Sequence, residues 1–104
     1  MFNILKKALG MESKADLKKL VENGALIIDV RTQEEYATGN IRGSQNIPLG
    51  ILQQNLSKFK KDKPVITCCA SGMRSASAKT ILQSNGFTEV YNGGGWMNLQ
   101  KKIS

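Results

Sequence analysis

The sequence contains no histidine, and this absence removes several kinds of active site from consideration. Without histidine the chain cannot build a Ser-His-Asp triad or a Cys-His pair, and it offers no imidazole ligand to a metal ion. We therefore expect no metal and no cofactor. Any nucleophile in this chain must be activated by backbone amides and by arginine.

Long apolar stretches are also missing. The longest, Ala25 to Ile28, falls far short of the roughly 20 residues that a membrane-spanning helix needs. The opening residues 1–12 place their lysines after the apolar residues and lack the apolar core of a signal peptide. We expect a short helical extension there, docked on the domain or in weak contact with a membrane surface, and a cytoplasmic protein without stable membrane insertion.

Aromatic residues are few, at three Phe, two Tyr and one Trp, although the net charge is +7. Basic residues are spread along the chain, and the six aromatic residues are not interleaved with them in the way that stacking of single-stranded bases requires. We expect no nucleic acid among the partners and expect the positive surface to attract small anions. The densest group of basic residues comprises Lys58, Lys60, Lys61 and Lys63.

Only two cysteines are present, and they are adjacent at Cys68 and Cys69. This spacing excludes a framework of separated disulfides and the C-x-x-C motifs of metal knuckles and thioredoxin-type redox sites. The pattern is typical of a reducing compartment.

The 104 residues suffice for one domain, which we place at residues 13–104 after the extension. Strands that alternate with helices at these lengths predict an α/β fold with a mostly parallel sheet. Apolar spacing predicts helices at 14–22, 33–38 with Thr32 as N-cap, 50–56, 74–85 and 96–102, strands at 25–30, 65–68 and 90–91, and a glycine turn at 93–95.

The segment around Cys69 runs from a strand, through a tight turn, into the N-terminus of a helix. Backbone N–H groups that curl around the sulfur, together with the helix dipole, stabilise a thiolate. Gly72 supplies the positive φ that such a curl needs, and Arg74 adds a cation. We interpret Cys69 as a nucleophile. The alternative is a buried, inert cysteine, but a turn that contains glycine is a poor place to bury one.

Four further residues keep two interpretations each. Cys68 points to the other face of the strand, as a core residue or as a resolving thiol. Arg74 stabilises the loop and binds an anion, or is a surface charge. Ser71 donates to the sulfur or only favours the turn, and Trp96 is a pocket wall or a core residue.

Residues 63–76 resemble the active-site segment of rhodaneses, in which a strand delivers the catalytic cysteine to a loop that closes on arginine. The segment from Asp29-Val30-Arg31 to Gly43-Ser44 and the pair Gly93-Gly94 followed by Trp96 match as well, so the resemblance covers about residues 13–102. It implies a single-domain rhodanese-like sulfurtransferase with a three-layer α/β/α fold.

The resemblance also implies roles for individual residues. Cys69 would carry sulfur as a persulfide, and Asp29 and Arg31 would form hydrogen bonds or an ion pair beneath the site. Sulfane sulfur would pass from thiosulfate, polysulfide or an organic persulfide to cyanide, a thiol or a protein thiol. The implied substrate-binding residues are Ala70, Ser71, Gly72, Met73, Arg74, Ser75 and Trp96.

The chain departs from the family pattern at two places. Ala70 stands where arginine frequently follows the catalytic cysteine, which removes a cationic anchor and disfavours thiosulfate as donor. The usual Gly-His-Ile-Pro-Gly segment reads Gly39-Asn40-Ile41-Arg42-Gly43, so a different hydrogen bond has to fill its structural role.

Two other functions remain open at this point. Counting from Cys68 gives Cys-x5-Arg74, the spacing of cysteine phosphatases, whereas counting from Cys69 gives the smaller Cys-x4-Arg74 loop that suits one sulfur atom. The second alternative is a non-catalytic rhodanese-like binding or regulatory module, for which an altered cysteine position would be the sign.

Overall fold

A computed structural model describes residues 14–104 of the chain, so the predicted extension at residues 1–12 lies outside the described part. Five α-helices, one 3-10 helix and four strands make up that part. The helices are α1 (Lys14–Glu22), α2 (Gln33–Ala37), α3 (Leu49–Leu52), α4 (Met73–Ser84) and α5 (Trp96–Ile103), the 3-10 helix is Gln53–Lys58, and the strands are β1 (Leu26–Asp29), β2 (Gln45–Asn46), β3 (Val65–Cys69) and β4 (Val90–Gly95).

The four strands form one sheet in the order β2-β1-β3-β4, and every neighbouring pair is parallel. The predicted α/β fold is confirmed, with a sheet that is wholly parallel rather than mostly so. In a parallel sheet all strand ends of one kind meet at one edge. The loops after β1 and β3 and the junction between β4 and α5 therefore converge at the carboxyl edge, where Cys69 lies.

Helices cover the sheet on both faces and give three layers. Residues of α3, the 3-10 helix and α4 pack with Val65 and Cys69 of β3 in one apolar cluster. Residues of α1 and α5 pack with Ile66 and Cys68 of the same strand in the other cluster. The alternation of side chains along β3 thus sends the two cysteines to opposite faces. None of the helices between residues 14 and 104 is long and apolar enough to span a membrane.

Helix α2 begins with the cap that the sequence predicted. The Thr32 hydroxyl accepts a hydrogen bond from the Glu35 amide at 3.2 Å, and the Glu35 carboxylate accepts one from the Thr32 amide at 3.0 Å. This reciprocal arrangement is a capping box. It fixes the backbone of Glu35 at the start of the helix.

The predicted glycine turn at residues 93–95 is wrong, because the three glycines form the end of β4. A Cβ built on Gly93 would lie 2.7 Å from the Thr67 carbonyl oxygen, 2.8 Å from Leu99 and 2.9 Å from Ile66. The missing side chain therefore allows β4 and α5 to approach β3 closely. Gly93 therefore serves close packing at this edge rather than flexibility.

We predict that Gly93→Ala lowers the free energy of unfolding by about 1 to 3 kcal/mol, because its methyl group must displace backbone as well as side chains. Gly50→Ala is the matched control, since a Cβ there meets nothing within 4 Å and Gly50 lies in α3. The control should be neutral or stabilising by up to about 1 kcal/mol. Urea denaturation of both variants measures the difference, and equal stabilities would contradict the close approach.

Candidate active site

Cys69 is the last residue of β3, at the carboxyl edge of a central strand. A register irregularity separates Thr67 from Cys69, and Cys69 pairs with Gly95 of β4. Three residues follow before α4 begins at Met73, and Gly72 adopts φ of 111° directly before the helix. The strand, tight turn and helix predicted from the sequence are therefore present, with the left-handed glycine in the predicted place.

Two backbone amides donate hydrogen bonds to the Cys69 sulfur. The Gly72 amide lies 2.9 Å from Sγ, and the Ser75 amide lies 3.3 Å from it. The Cys69 residue is also buried, at 1% exposure, so the expectation that the turn is a poor place to bury a cysteine was wrong. The reason is that strand alternation directs the side chain into the apolar cluster beneath α4 while the loop folds over the sulfur.

Burial and hydrogen bonding act in opposite directions on this thiol. Burial is the largest single effect and raises the pKa of Cys69, but hydrogen bonds from Ser75, Gly72 and the Ser71 amide together outweigh it. The net result is a pKa below the ordinary value of a cysteine thiol. The loop therefore favours an anionic sulfur in a site closed to bulk water.

Cys68 lies in the apolar cluster on the opposite face of the sheet, with no exposed surface. Burial, followed by the negative charge of Asp29, raises the pKa of the Cys68 thiol far above its ordinary value. A protonated, enclosed thiol is neither a nucleophile nor a ready metal ligand. Of its two interpretations, core residue is the one that this environment supports.

Arg74 pairs with Glu35 of α2 instead of facing an open anion site. Its two terminal nitrogens lie 2.7 and 3.0 Å from the two carboxylate oxygens, a bidentate ion pair. Arg74 lowers the pKa of Glu35 to about 2, with help from the Thr32 amide, and Glu35 in turn raises the pKa of Arg74. Both groups stay charged at any pH near neutrality, so the pair ties the cysteine loop to α2. Sequence reasoning missed Glu35 as this partner.

The remaining loop residues form the outer rim of the site. Ala70 and Ser71 are exposed, and Met73 is 82% exposed. The Ser71 backbone contributes, as the smallest of the named causes, to the lowered pKa of Cys69. Ser75, in contrast, is fully buried and contributes its amide directly beneath the rim.

Asp29 and Arg31 form a buried ion pair beside the site, with Nη2 of Arg31 2.7 Å from the Asp29 carboxylate. The Arg31 guanidinium also donates to the carbonyl oxygens of Glu35 at 3.1 Å and Gly39 at 2.7 Å. Trp96 covers the same guanidinium, with its ring centroid 4.7 Å away. The half-buried Trp96 therefore contacts this cluster, which holds α2 and the start of α5 against β1.

Asn40, in the segment where the sequence departs from the family pattern, makes a hydrogen bond to the end of α2. The Asn40 side chain donates to the Tyr36 carbonyl oxygen at 3.0 Å and so satisfies a carbonyl group at the end of α2. The Gly39 amide donates to the same carbonyl oxygen at 3.2 Å, so two groups of this segment hold it against the end of α2.

Asn92 is a residue of the site that sequence reasoning missed. Its side-chain oxygen lies 2.6 Å from the Ser75 hydroxyl and accepts a hydrogen bond from the Gly94 amide at 2.9 Å. An asparagine two residues before a glycine is a common turn signal, but nothing in the local sequence indicates the long-range contact with Ser75.

The chain belongs to the rhodanese-like domain family, whose model matches residues 13–102. Among the described residues, no cluster of three or more His, Cys, Asp or Glu side chains could hold a metal ion.

Two curated proteins show the similarity at the level of sequence. An uncharacterized protein of Bacillus subtilis, YqhL, is 39% identical over 89 residues, which cover 86% of this chain and 67% of that protein. The thiosulfate sulfurtransferase GlpE of Pseudomonas fluorescens is 38% identical over 80 residues, which cover 77% of this chain and 73% of that protein.

A solved structure shows the same similarity in three dimensions. The human single-domain sulfurtransferase TSTD1 superposes with a TM-score of 0.79 at 29% identity, and the match covers 91% of this chain and 98% of that one. The match covers nearly the whole of both chains, so the shared fold is that of one entire domain.

We predict that the two thiols titrate far apart. In the Cys68→Ser variant, the thiolate absorbance of Cys69 should rise with a midpoint below that of the same thiol in the unfolded protein, because the loop lowers the pKa of Cys69. In the Cys69→Ser variant, no thiolate should form below the pH at which the protein unfolds. An ultraviolet titration measures both, and a lower midpoint for Cys68 would contradict the assignment.

Proposed function

We propose that this protein is a sulfurtransferase that carries sulfane sulfur as a persulfide on Cys69. The observation that supports this most is the pair of amide hydrogen bonds to a buried sulfur at the end of β3. Donors fixed around a sulfur stabilise the thiolate that attacks and the persulfide anion that results, without a side-chain base.

The proposed cycle has two displacements at sulfur. The Cys69 thiolate attacks the sulfane sulfur of the donor, a new S–S bond forms, and the bond to the leaving group breaks with its electron pair on that group. The leaving group is sulfite from thiosulfate, or a thiolate from an organic persulfide. A thiol, a protein thiol or cyanide then takes the outer sulfur, and the Cys69 thiolate leaves. Sulfur moves at a constant oxidation state, so the cycle needs neither oxidant nor cofactor.

The charges around the loop favour a donor of low charge. Arg74 is neutralised by Glu35, and the exposed residues that a donor meets first are Ala70, Ser71 and Met73, none of which is charged. Doubly charged thiosulfate therefore finds no free cation among these residues, whereas an organic persulfide or a polysulfide needs less compensation. The GlpE relative is named a thiosulfate sulfurtransferase, which makes thiosulfate the donor for comparison.

The two alternatives have less support. A cysteine phosphatase would use Cys68, but the loop amides surround the sulfur of Cys69 and Cys68 faces the other side of the sheet. A purely binding module would not need a sulfur held by two amides with a lowered pKa.

We predict that a sulfane donor adds one removable sulfur to Cys69. Intact-mass spectra should show this addition in the native protein and in Cys68→Ser, and should lose it in Cys69→Ser. A reducing thiol should remove the added mass. Addition at Cys68 instead, or no addition with thiosulfate, polysulfide and glutathione persulfide alike, would refute the proposed function.

We predict that kcat/KM is higher for glutathione persulfide than for thiosulfate, and that Ala70→Arg raises thiosulfate transfer. One exposed cation is worth about 1 kcal/mol, or roughly fivefold, and added salt should reduce the gain. Ala70→Gln is the matched control for side-chain length without charge. A native preference for thiosulfate that Ala70→Arg leaves unchanged would show that another group supplies the positive charge.

A further inference from the structure

The Ser75 hydroxyl lies among three hydrogen-bond acceptors. Its oxygen is 2.6 Å from Oδ1 of Asn92 and 2.9 Å from the carbonyl oxygen of Gly72. The amide of the same residue lies 3.3 Å from the Cys69 sulfur, and the Ser75 side chain also helps to lower the pKa of Cys69. Ser75 is fully buried, so water does not supply further partners to this side chain. A hydroxyl has only one proton to donate, and the three acceptors therefore compete for it.

The orientation of the Asn92 amide is fixed by a second contact. The Gly94 amide donates to the same Oδ1 at 2.9 Å, so the oxygen, and not the NH₂ group, faces the loop. Gly94 lies beside the loop itself, since a Cβ built on Gly72 would be 3.6 Å from the Gly94 Cα. Asn92 therefore presents a neutral acceptor to Ser75 from the adjacent strand β4.

We propose that Asn92 is a positioning residue that governs the direction of the Ser75 hydroxyl. The hydroxyl donates to Asn92 while Cys69 is a thiol, and it turns to the sulfur when the sulfur is an anion. An anionic sulfur attracts the proton more strongly than a neutral amide oxygen does. The hydroxyl thereby gives the sulfur a further donor only in its charged state, and one hydrogen bond is exchanged for another without a covalent bond breaking.

The identity of residue 92 matters because a carboxylate at this position would compete for the Ser75 hydroxyl proton differently from the neutral amide of asparagine. Aspartate at position 92 could accept both existing hydrogen bonds, so the local fold would be kept. Its charge would hold the hydroxyl proton and repel an anionic sulfur, and both effects would raise the pKa of Cys69. The other charged groups near the sulfur are paired, Arg74 with Glu35 and Asp29 with Arg31.

The test follows the thiolate absorbance of Cys69 against pH, in a Cys68→Ser background. Asn92→Asp should lower the ratio of thiolate to thiol at neutral pH by about tenfold. Asn92→Ala, which removes the competing acceptor, should leave that ratio unchanged or raise it. Asn98→Asp, on the exposed surface of α5, is the control for one added negative charge and should have a small effect.

A double-mutant cycle separates the hydroxyl from the charge. The effect of Asn92→Asp should shrink by at least about half in the Ser75→Ala background, because the competition no longer exists. Equal effects with and without the hydroxyl would overturn the proposal, and so would a fall in the ratio for Asn92→Ala, which a merely structural role predicts.

This inference deepens the proposed function, but the two can fail separately. If the native protein accepts no sulfur from any donor while the titrations behave as described, the sulfurtransferase proposal fails and the role of Asn92 stands. If sulfur transfer occurs while the cycle shows no coupling, the role of Asn92 fails alone.

Discussion

Burial of Cys69 disfavours the thiolate form of its sulfur, whereas hydrogen bonds from the loop favour it. The structure of the site depends on this balance. An apolar environment disfavours a charged sulfur, so the charge has to be stabilised by groups that the protein itself holds in place. The left-handed Gly72 turns the chain over the sulfur, and the start of α4 brings the Ser75 amide to the same atom. The wholly parallel sheet is what allows this, because it delivers the strand end, the turn and the helix N-terminus to one edge.

The charged side chains near the loop hold parts of the fold together more than they attract an anionic ligand. Arg74 joins the loop to α2 through Glu35, and Arg31 joins β1 to α2 through Asp29 and two carbonyl groups. Each cation is satisfied by a partner at hydrogen-bonding distance. The electrostatic character of the site therefore comes mainly from backbone dipoles, whose direction is fixed by the fold and does not change with pH.

The parts of the structure that could be predicted from sequence are those encoded by neighbouring residues. The Thr32 cap, the positive φ of Gly72 and the opposite directions of Cys68 and Cys69 each depend on contacts within a few positions. The pairing of Arg74 with Glu35 joins residues 39 positions apart, and that of Ser75 with Asn92 joins residues 17 apart. Such contacts depend on how α2, α4 and β4 are placed in three dimensions. The glycines of β4 were predicted as a turn for the same reason. The atoms next to the position of a Gly93 Cβ belong to Thr67, Leu99 and Ile66, which the local sequence does not indicate.

The opposite directions of the two cysteines also determine how long the proposed persulfide would last. A free thiol beside a persulfide can attack it, release hydrogen sulfide and leave a disulfide. Here the thiol next in sequence lies across the sheet in a separate apolar cluster and stays protonated. If Cys69 carries a persulfide as proposed, the strand backbone would separate it from the Cys68 thiol, and the outer sulfur would remain until an external acceptor took it.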